Sequence, residues 1–391
     1  MQNFVFHNPA KILFGKGTIP AIGPETVAFG SKVLLVYGAG SIKRNGIYQQ
    51  VTDSLLAAGA EIVEHSGVQS NPVLSHVREG IALAKKQKCQ VVCAVGGGSV
   101  IDEAKAICAG AVVNYDVWKF FTGKKSVTSP LPLTTVLTLA ASGSEMNSGM
   151  VITNEETRQK FGFANKKLYP KTSILEPEAT FSVPADYTAY GAVDAIAHVL
   201  EFYFTTQDPA TPVQDRFMVG LIINAMESCD RVLADLHDYQ GRADLMWTAT
   251  LALNGLTAAG LGKVGFPMHL IEHSLSALYN VPHGAGLSAI IPGWMRHQSQ
   301  STPQRFAQFA ERVFDCRSGS TEERAQKGIA DLEKWFDKVN SPTSLAALNI
   351  PEQDIPTIAE NAVALAKVWR MPDYDSERIQ AILAGCSGVK C

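Results

Sequence analysis

Val91-Val92-Cys93-Ala94-Val95-Gly96-Gly97-Gly98-Ser99-Val100-Ile101-Asp102 holds a strand, a turn and the start of a helix in twelve residues. The apolar run with three valines reads as a strand buried on both faces, and the spacing of apolar residues from 100 to 111 reads as a helix. A strand that passes through glycines into a helix is a phosphate-binding arrangement. The first helical N–H groups have no partner within the helix, the helix dipole favours an anion there, and glycine lets a diphosphate approach the backbone. Gly97, Gly98 and Ser99 are therefore candidate cofactor-binding residues. Asp102 is a candidate for capping the first turn or for bonding a ribose hydroxyl. The competing reading is a tight turn that needs glycine and binds nothing.

Outward from this unit the alternation continues. A strand at 33–37 leads through Gly38-Ala39-Gly40-Ser41 to a helix at 47–58, then a strand at 61–64, a helix at 74–86 and, after the central unit, a strand at 134–139. Strands alternating with helices predict a parallel sheet with crossover helices. In the first turn the third glycine of the dinucleotide fingerprint is replaced by Lys43. Ordinary Rossmann reasoning then looks for an acid near the end of the second strand, where Glu64 stands, and points to NAD. The segment from Thr138 to Glu145 follows another strand and is dense in small residues that allow close approach to a ligand.

After Pro184 the β-branched runs give way to helical periodicity, with helices predicted near 185–204, 212–234, 242–259, 267–279, 303–313, 321–339 and 355–368. The expected architecture is α/β plus all-α. A Rossmann-like dinucleotide-binding domain occupies 1–185, an all-helical metal and substrate domain occupies 186–391, and a cleft lies between them.

Composition removes other classes. With 391 residues, 46% hydrophobic and 18% charged, the chain has the means to bury a large core, which excludes general disorder. A net charge of −3, from 34 basic and 37 acidic residues, supplies no global attraction to nucleic acid or to an anionic membrane. Seven cysteines without a C-x-x-C pair argue against a disulfide framework, and the N-terminus lacks the pattern of a secretory signal, so a reducing cytoplasm is expected. The uncharged stretch from Leu245 to Gly262 is too polar and glycine-rich for a membrane span and reads as a buried helix.

The helical half supplies metal-ligand candidates. Asp194 and His198 stand four apart on one helix face, His269 and His273 repeat the spacing, and His283 sits at a glycine-flanked turn. Asp194, His198, His269 and His283 make a mixed N/O set suited to Fe(II) or Zn(II), leaving a position for a substrate oxygen. The plain alternative for Asp194 and His198 is a surface pair. His269-Leu270-Ile271-Glu272-His273 also fits the H-x-x-E-H pattern of a zinc peptidase, in which Glu272 would activate water. His7, His65, His76, His237 and His297 read as solvated.

Taken together, these motifs resemble the iron-containing (group III) alcohol dehydrogenases over nearly the whole chain. Phe14-Gly15-Lys16-Gly17 is similar to the family's F-G-x-G, Gly96 to Ser99 with Asp102 to its G-G-G-S-x-x-D, and Thr138 to Glu145 to its T-x-x-G-T-G-S-E. Gly191 to His198 with Glu201 resembles its G-x-D-A-x-x-H-x-x-E, and Pro282-His283-Gly284 is also present. Ala141, Ser142 and Glu176 depart from the pattern.

The resemblance implies a dehydroquinate synthase-like fold, a homodimer, and reversible hydride transfer between a small aldehyde or primary alcohol and a nicotinamide cofactor. It places Asn71, Gly98, Ser99, Thr138, Asn147 and Lys160 along the cofactor, Asp194, His198, His269 and His283 on the metal, and His273 near the nicotinamide as the proton-transferring residue. The chain looks most like the NADPH-dependent, butanol-dehydrogenase-like aldehyde reductases. Its first turn, Gly38 to Ser41, has no acid and offers Ser41 and Lys43, so a 2′-phosphate is tolerated and NADP(H) is the expected cofactor. A polyol dehydrogenase on the same fold, a dehydroquinate synthase-like lyase, the H-x-x-E-H peptidase and a nonenzymatic nucleotide-binding module are the competing readings.

Overall fold

The computed structural model describes residues 1–207 and 210–388. The chain divides into two compact units, one of His7–Pro184 with Asp235–Asn254, the other of Met1–Phe6, Ala185–Ala234 and Gly255–Cys391. Two segments thus cross the division expected at residue 185. Met1–Phe6 packs with the helical unit, and Asp235–Asn254 packs with the α/β unit.

In the α/β unit, β1 (Lys11–Phe14), β2 (Lys32–Gly38), β3 (Glu61–Val68), β4 (Val91–Gly96), β5 (Leu133–Leu137) and β8 (Thr172–Leu175) form one sheet in the order β1-β8-β5-β4-β2-β3. Every pair in it is parallel. The inner strands β4 and β5 are buried at every position, as their unbroken apolar or small-residue runs require. Val33, Leu35, Cys93, Val95, Val136 and Ile174 share one core cluster with Ile47, Val51 and Leu55 of the helix Ile47–Ala57. β1 and β8 were not legible in the sequence, because four residues show no periodicity. The same holds for the antiparallel hairpin of β6 (Gly149–Asn154) and β7 (Gln159–Ala164).

The helix expected at 242–259 runs instead over Tyr239–Ala252. Asp238 caps its start, accepting from the backbone N–H groups of Gln240 and Gly241. It stops because the chain turns through Gly255, Gly260 and Gly262, all at positive φ. The uncharged stretch from 245 to 262 is therefore half helix and half turns. Among the described residues no helix is long and apolar enough to cross a membrane.

The helical unit contains Ala185–Thr205, Pro212–Ala234, Pro267–Tyr279, His283–Ser299, Pro303–Phe314, Thr321–Lys338, Ile355–Trp369 and Ser376–Ala384. Thr321–Lys338 starts on a full capping box between Ser320 and Glu323. Ala185–Thr205 and His283–Ser299 are buried along most of their length and form the interior of this unit. The second of these was hidden in the sequence by Gly284, Gly286, Pro292 and Gly293, which read as punctuation. The glycines serve packing. A Cβ on Gly284 would stand 2.2 Å from the backbone oxygen of Tyr190, and one on Gly293 would stand 2.2 Å from Cys386 Sγ.

Two of the remaining expectations need correction. His65 is buried and His76 half-buried, both against the buried carboxylate of Glu103, so neither is solvated. His7 and His237 are exposed, while His297 is half-buried. Cys89, Cys93, Cys108, Cys229, Cys316 and Cys386 are buried and form no disulfide among the described residues. Cys391 lies outside the described residues.

Candidate metal centre and nucleotide-binding turns

Ala185–Thr205 has apolar or small residues around most of its circumference, so its few polar side chains lie in protein interior rather than water. Asp194 is 3% exposed and His198 5%. The spacing of four brings them together, with Asp194 Oδ1 3.6 Å from His198 Nδ1. The helix Pro267–Tyr279 delivers His269, whose Nε2 stands 3.7 Å from the same oxygen. His283, the first residue of its helix rather than a turn residue, brings its Nε2 to 3.6 Å from that oxygen. The three separations from Asp194 Oδ1 are close to the roughly 3.4 Å between ligand atoms on a tetrahedral ion, and the donor atoms of Asp194, His198 and His269 all lie within 4.8 Å of one another.

The set also lacks something that a cation would supply. Asp194 Oδ1, His198 Nδ1 and His269 Nε2 are buried and have no hydrogen-bond partner among the described residues. Buried polar atoms of this kind are costly unless hydrogen-bonded or bound to a metal. Burial opposes ionisation of Asp194, but the imidazoles of His198, His283 and His269 together outweigh it and hold the carboxyl below its usual range. Burial is the main reason His198 is pushed down to about 3, which leaves its imidazole neutral and able to ligate. For His269 burial acts downward, and the carboxylates of Asp194 and Glu201 on either side of its ring override it to about 9.

Two carboxylates orient the rings from behind. Glu201 Oε1 accepts from the backbone N–H of His269 at 2.9 Å and from its Nδ1 at 3.1 Å, so Nε2 is left facing Asp194. Glu272 accepts from His283 Nδ1 and, at 2.5 Å, from the Ser276 hydroxyl. Carboxylates behind ligating histidines select the tautomer and raise ligand basicity. The sequence had placed Glu201 in a motif without a role. Glu272 corrects the peptidase reading, because its carboxylate is fully buried and faces His283 and Ser276 instead of a water site beside His269 and His273. His273 is buried at the rim of the cluster, its ring centre 5.7 Å from that of His283 and 5.5 Å from Trp369.

In the α/β unit the chain leaves β2 toward β3 on one side and then crosses to β4 on the other. The carboxyl ends of β2 and β4 therefore flank a topological switch point, where open parallel sheets bind ligands. Gly38, Gly40 and Ser41 follow β2, with Gly40 at φ +114°, a conformation that favours glycine. Gly97 caps the helix Gly98–Gly110 that follows β4. A Cβ on Gly98 would stand 2.2 Å from Ser142 Oγ, so the segment around Thr138 and Ser142 lies directly on the glycine turn. Thr138 is tied there by its N–H to Gly96 O, at 3.1 Å. Ser99 donates to the Ser70 carbonyl, and Lys160 Nζ lies 3.1 Å from Asn71 Oδ1.

Asp102 does not cap its helix. One of its oxygens accepts from Ser144 Oγ at 2.5 Å and the other from Val151 N at 2.9 Å. Beside it Lys105, fully buried, donates to Ser144 Oγ, to Asn147 O and Oδ1, and to Gly149 O. Desolvation pushes Lys105 down to about 8 against the pull of Asp102 and Glu145. Sequence reasoning missed Lys105, although a lysine within the apolar run 104–109 signals a buried partner. Glu64 is also engaged. It accepts from the hydroxyls of Tyr37 and Tyr48, and Lys43 Nζ lies 3.7 Å from it.

A family profile described as iron-containing alcohol dehydrogenase matches residues 9–177, and one described as Fe-containing alcohol dehydrogenase family, C-terminal, matches residues 188–385. The chain is 43% identical over 385 residues to the probable NADH-dependent butanol dehydrogenase 1 of Bacillus subtilis (strain 168), covering 98% of this chain and 99% of that one. It is 36% identical over 361 residues to the NADPH-dependent aldehyde reductase YqhD of Escherichia coli (strain K12), covering 92% of each. The crystal structure of NADH-dependent butanol dehydrogenase A from Thermotoga maritima superposes with a TM-score of 0.95 at 45% identity, over 99% of both chains. Since both halves are matched in order and relatives align almost end to end, the chain belongs to the iron-containing alcohol dehydrogenase family and is a metal-dependent oxidoreductase of alcohols and aldehydes.

Proposed function

We propose that the protein interconverts small aldehydes and primary alcohols with NADP(H), using Fe(II) or Zn(II) held by Asp194, His198, His269 and His283. The observation that carries this reading is the convergence of three imidazoles on Asp194 Oδ1, with that oxygen, His198 Nδ1 and His269 Nε2 buried without hydrogen-bond partners among the described residues. When bound, the ion supplies Lewis acidity toward a carbonyl oxygen and the nicotinamide supplies or accepts the hydride. Glu201 and Glu272 hold the His269 and His283 rings so that Nε2 of each faces the ion position. His273, at the rim, exchanges a proton between its imidazole and the alcohol oxygen.

On the nucleotide side, Gly38, Gly40, Gly97, Gly98 and Ser99 admit the diphosphate. Asn71, Thr138, Asn147 and Lys160 line the remainder, with Asp102 and Lys105 bracing that wall from behind. Ser41 and Lys43 receive the 2′-phosphate of NADP(H). A preference for NADH is the second reading. It is favoured by the ion pair of Lys43 with Glu64, which occupies the cation a 2′-phosphate would meet, and by the similarity to butanol dehydrogenases named as NADH-dependent.

The test is NADPH and NADH oxidation with butanal, before and after chelation and after Fe(II) or Zn(II) is restored. The expected result is metal-dependent turnover with kcat/KM higher for NADPH, and Lys43→Ala lowering that value about tenfold or more while NADH is less affected. Higher kcat/KM with NADH moves the cofactor to the second reading. Turnover with glycerol and none with butanal or butanol moves the substrate to polyols. His273→Ala is expected to lower kcat about 100-fold and flatten its pH profile, and an unchanged rate and profile would remove the proton role. The same reading makes the enzyme a homodimer, which light scattering tests.

A further inference from the structure

Within the α/β unit, three elements bring a second group of metal-ligating side chains together. His65 comes from β3, His76 from the helix Leu74–Gln87, and Glu103 from the helix Gly98–Gly110. Glu103 is fully buried, His65 is 7% exposed, and the His76 side chain is 19% exposed. The two rings stack with centres 4.2 Å apart at 24°. His65 Nε2 stands 3.0 Å, and His76 Nδ1 2.7 Å, from the same carboxylate oxygen, Glu103 Oε1. Gly80 makes room for this arrangement, since a Cβ there would lie 2.9 Å from His65 Nε2.

The hydrogen bonding does not close without an added cation. His76 Nε2 lies 3.1 Å from the backbone carbonyl of Ser66, an acceptor only, so Nε2 carries a hydrogen. In the neutral ring Nδ1 then presents a lone pair to Glu103 Oε1. Two lone pairs at that distance need positive charge between them. Glu103 Oε2 is buried with no hydrogen-bond partner, and no lysine or arginine pairs with Glu103 among the described residues. The carboxylate thus has only two imidazoles to balance its charge, and a buried carboxylate in this state draws in either a proton or a metal ion. Two histidines and a glutamate form a known zinc ligand set, with a fourth position left for water, and the Ser66 carbonyl orients His76 as such sites require. One donor atom from each residue lies within 4.8 Å of the others.

We propose that His65, His76 and Glu103 form a second divalent-metal site, of the zinc class, that joins β3 to the two helices and takes no part in hydride transfer. It shares no residue with the Asp194 set and stands independently of the proposed function. The test is a count of zinc per chain by equilibrium dialysis and elemental analysis of metal-stripped, refilled enzyme. The expected count is two in the wild type and one in His76→Ala and in Glu103→Gln, with aldehyde reduction retained in both variants. Asp194→Ala is expected to hold one ion, and adding zinc is expected to raise its Tm, a rise lost in Asp194→Ala combined with His76→Ala. A wild-type count of one, a second ion retained by both single variants, or no zinc-dependent rise in Tm in Asp194→Ala would overturn the site.

Discussion

Around Asp194, two buried carboxylates stand behind the candidate donors, Glu201 against His269 and Glu272 against His283. Glu201 holds His269 by both its backbone N–H and its Nδ1. Glu201→Gln keeps the shape and removes the charge, and it is expected to weaken metal affinity about 10- to 100-fold, with activity returning at high metal concentration. A competition titration with a chromophoric chelator reads this directly, and unchanged affinity would leave Glu201 a packing residue. At the same scale the thiols are chemically quiet. Desolvation pushes Cys93 and Cys386 up to about 12. Because these folded values lie above the ordinary thiol value of 9, the stability they contribute is fully present below pH 9. As pH rises from 9 toward 12 it is lost at about 1.4 kcal/mol per pH unit for each thiol. Alkylation at pH 8 followed by mass mapping should leave both unmodified in the native protein and modified in urea. Labelling of either in the native protein would contradict their burial.

Among the elements, the helix His283–Ser299 shows most clearly how packing overrides sequence punctuation. Gly284 sits where any side chain would meet the backbone oxygen of Tyr190, next to His283, whose Nε2 faces Asp194. Gly284→Ala is therefore expected to destabilise by about 1–3 kcal/mol and to shift His283 from its position. Thermal melting and metal affinity should fall together in this variant. An unchanged Tm would mean that Tyr190 yields to the added methyl. The glycine turns after β2 and β4 were legible because strand, glycine and helix follow one another within a few residues. β1, β8 and the β6–β7 hairpin were not legible, since short strands take their identity from the neighbours that pair with them. Asp102 illustrates the same limit at an element boundary. Its spacing from Ser99 suggested a cap, while its oxygens serve Ser144 and Val151, residues more than forty positions away.

For the whole molecule, a metal that binds only the folded chain adds stability by mass action, about 2.7 kcal/mol when the free ion is at 100 times its Kd. Chelation of the loaded enzyme is expected to lower Tm and Fe(II) or Zn(II) to restore it, read by calorimetry, whereas an unchanged Tm would argue that no ion is held in the fold. Local patterns in the sequence determined the α/β half, the helical half, the glycine turn after β4 and the candidate donor residues Asp194, His198, His269 and His283, because each rests on residues close in the chain or on side chains with restricted chemistry. Tertiary structure alone decided three matters that depend on contacts across long separations. It placed the helix Tyr239–Ala252 with the α/β unit, turned Glu272 toward His283 and away from a peptidase role, and gathered His65 and His76 around the buried carboxylate of Glu103. No periodicity announces such meetings, since what unites the residues is the low dielectric of a shared interior, where a charge must find a partner wherever the fold supplies one.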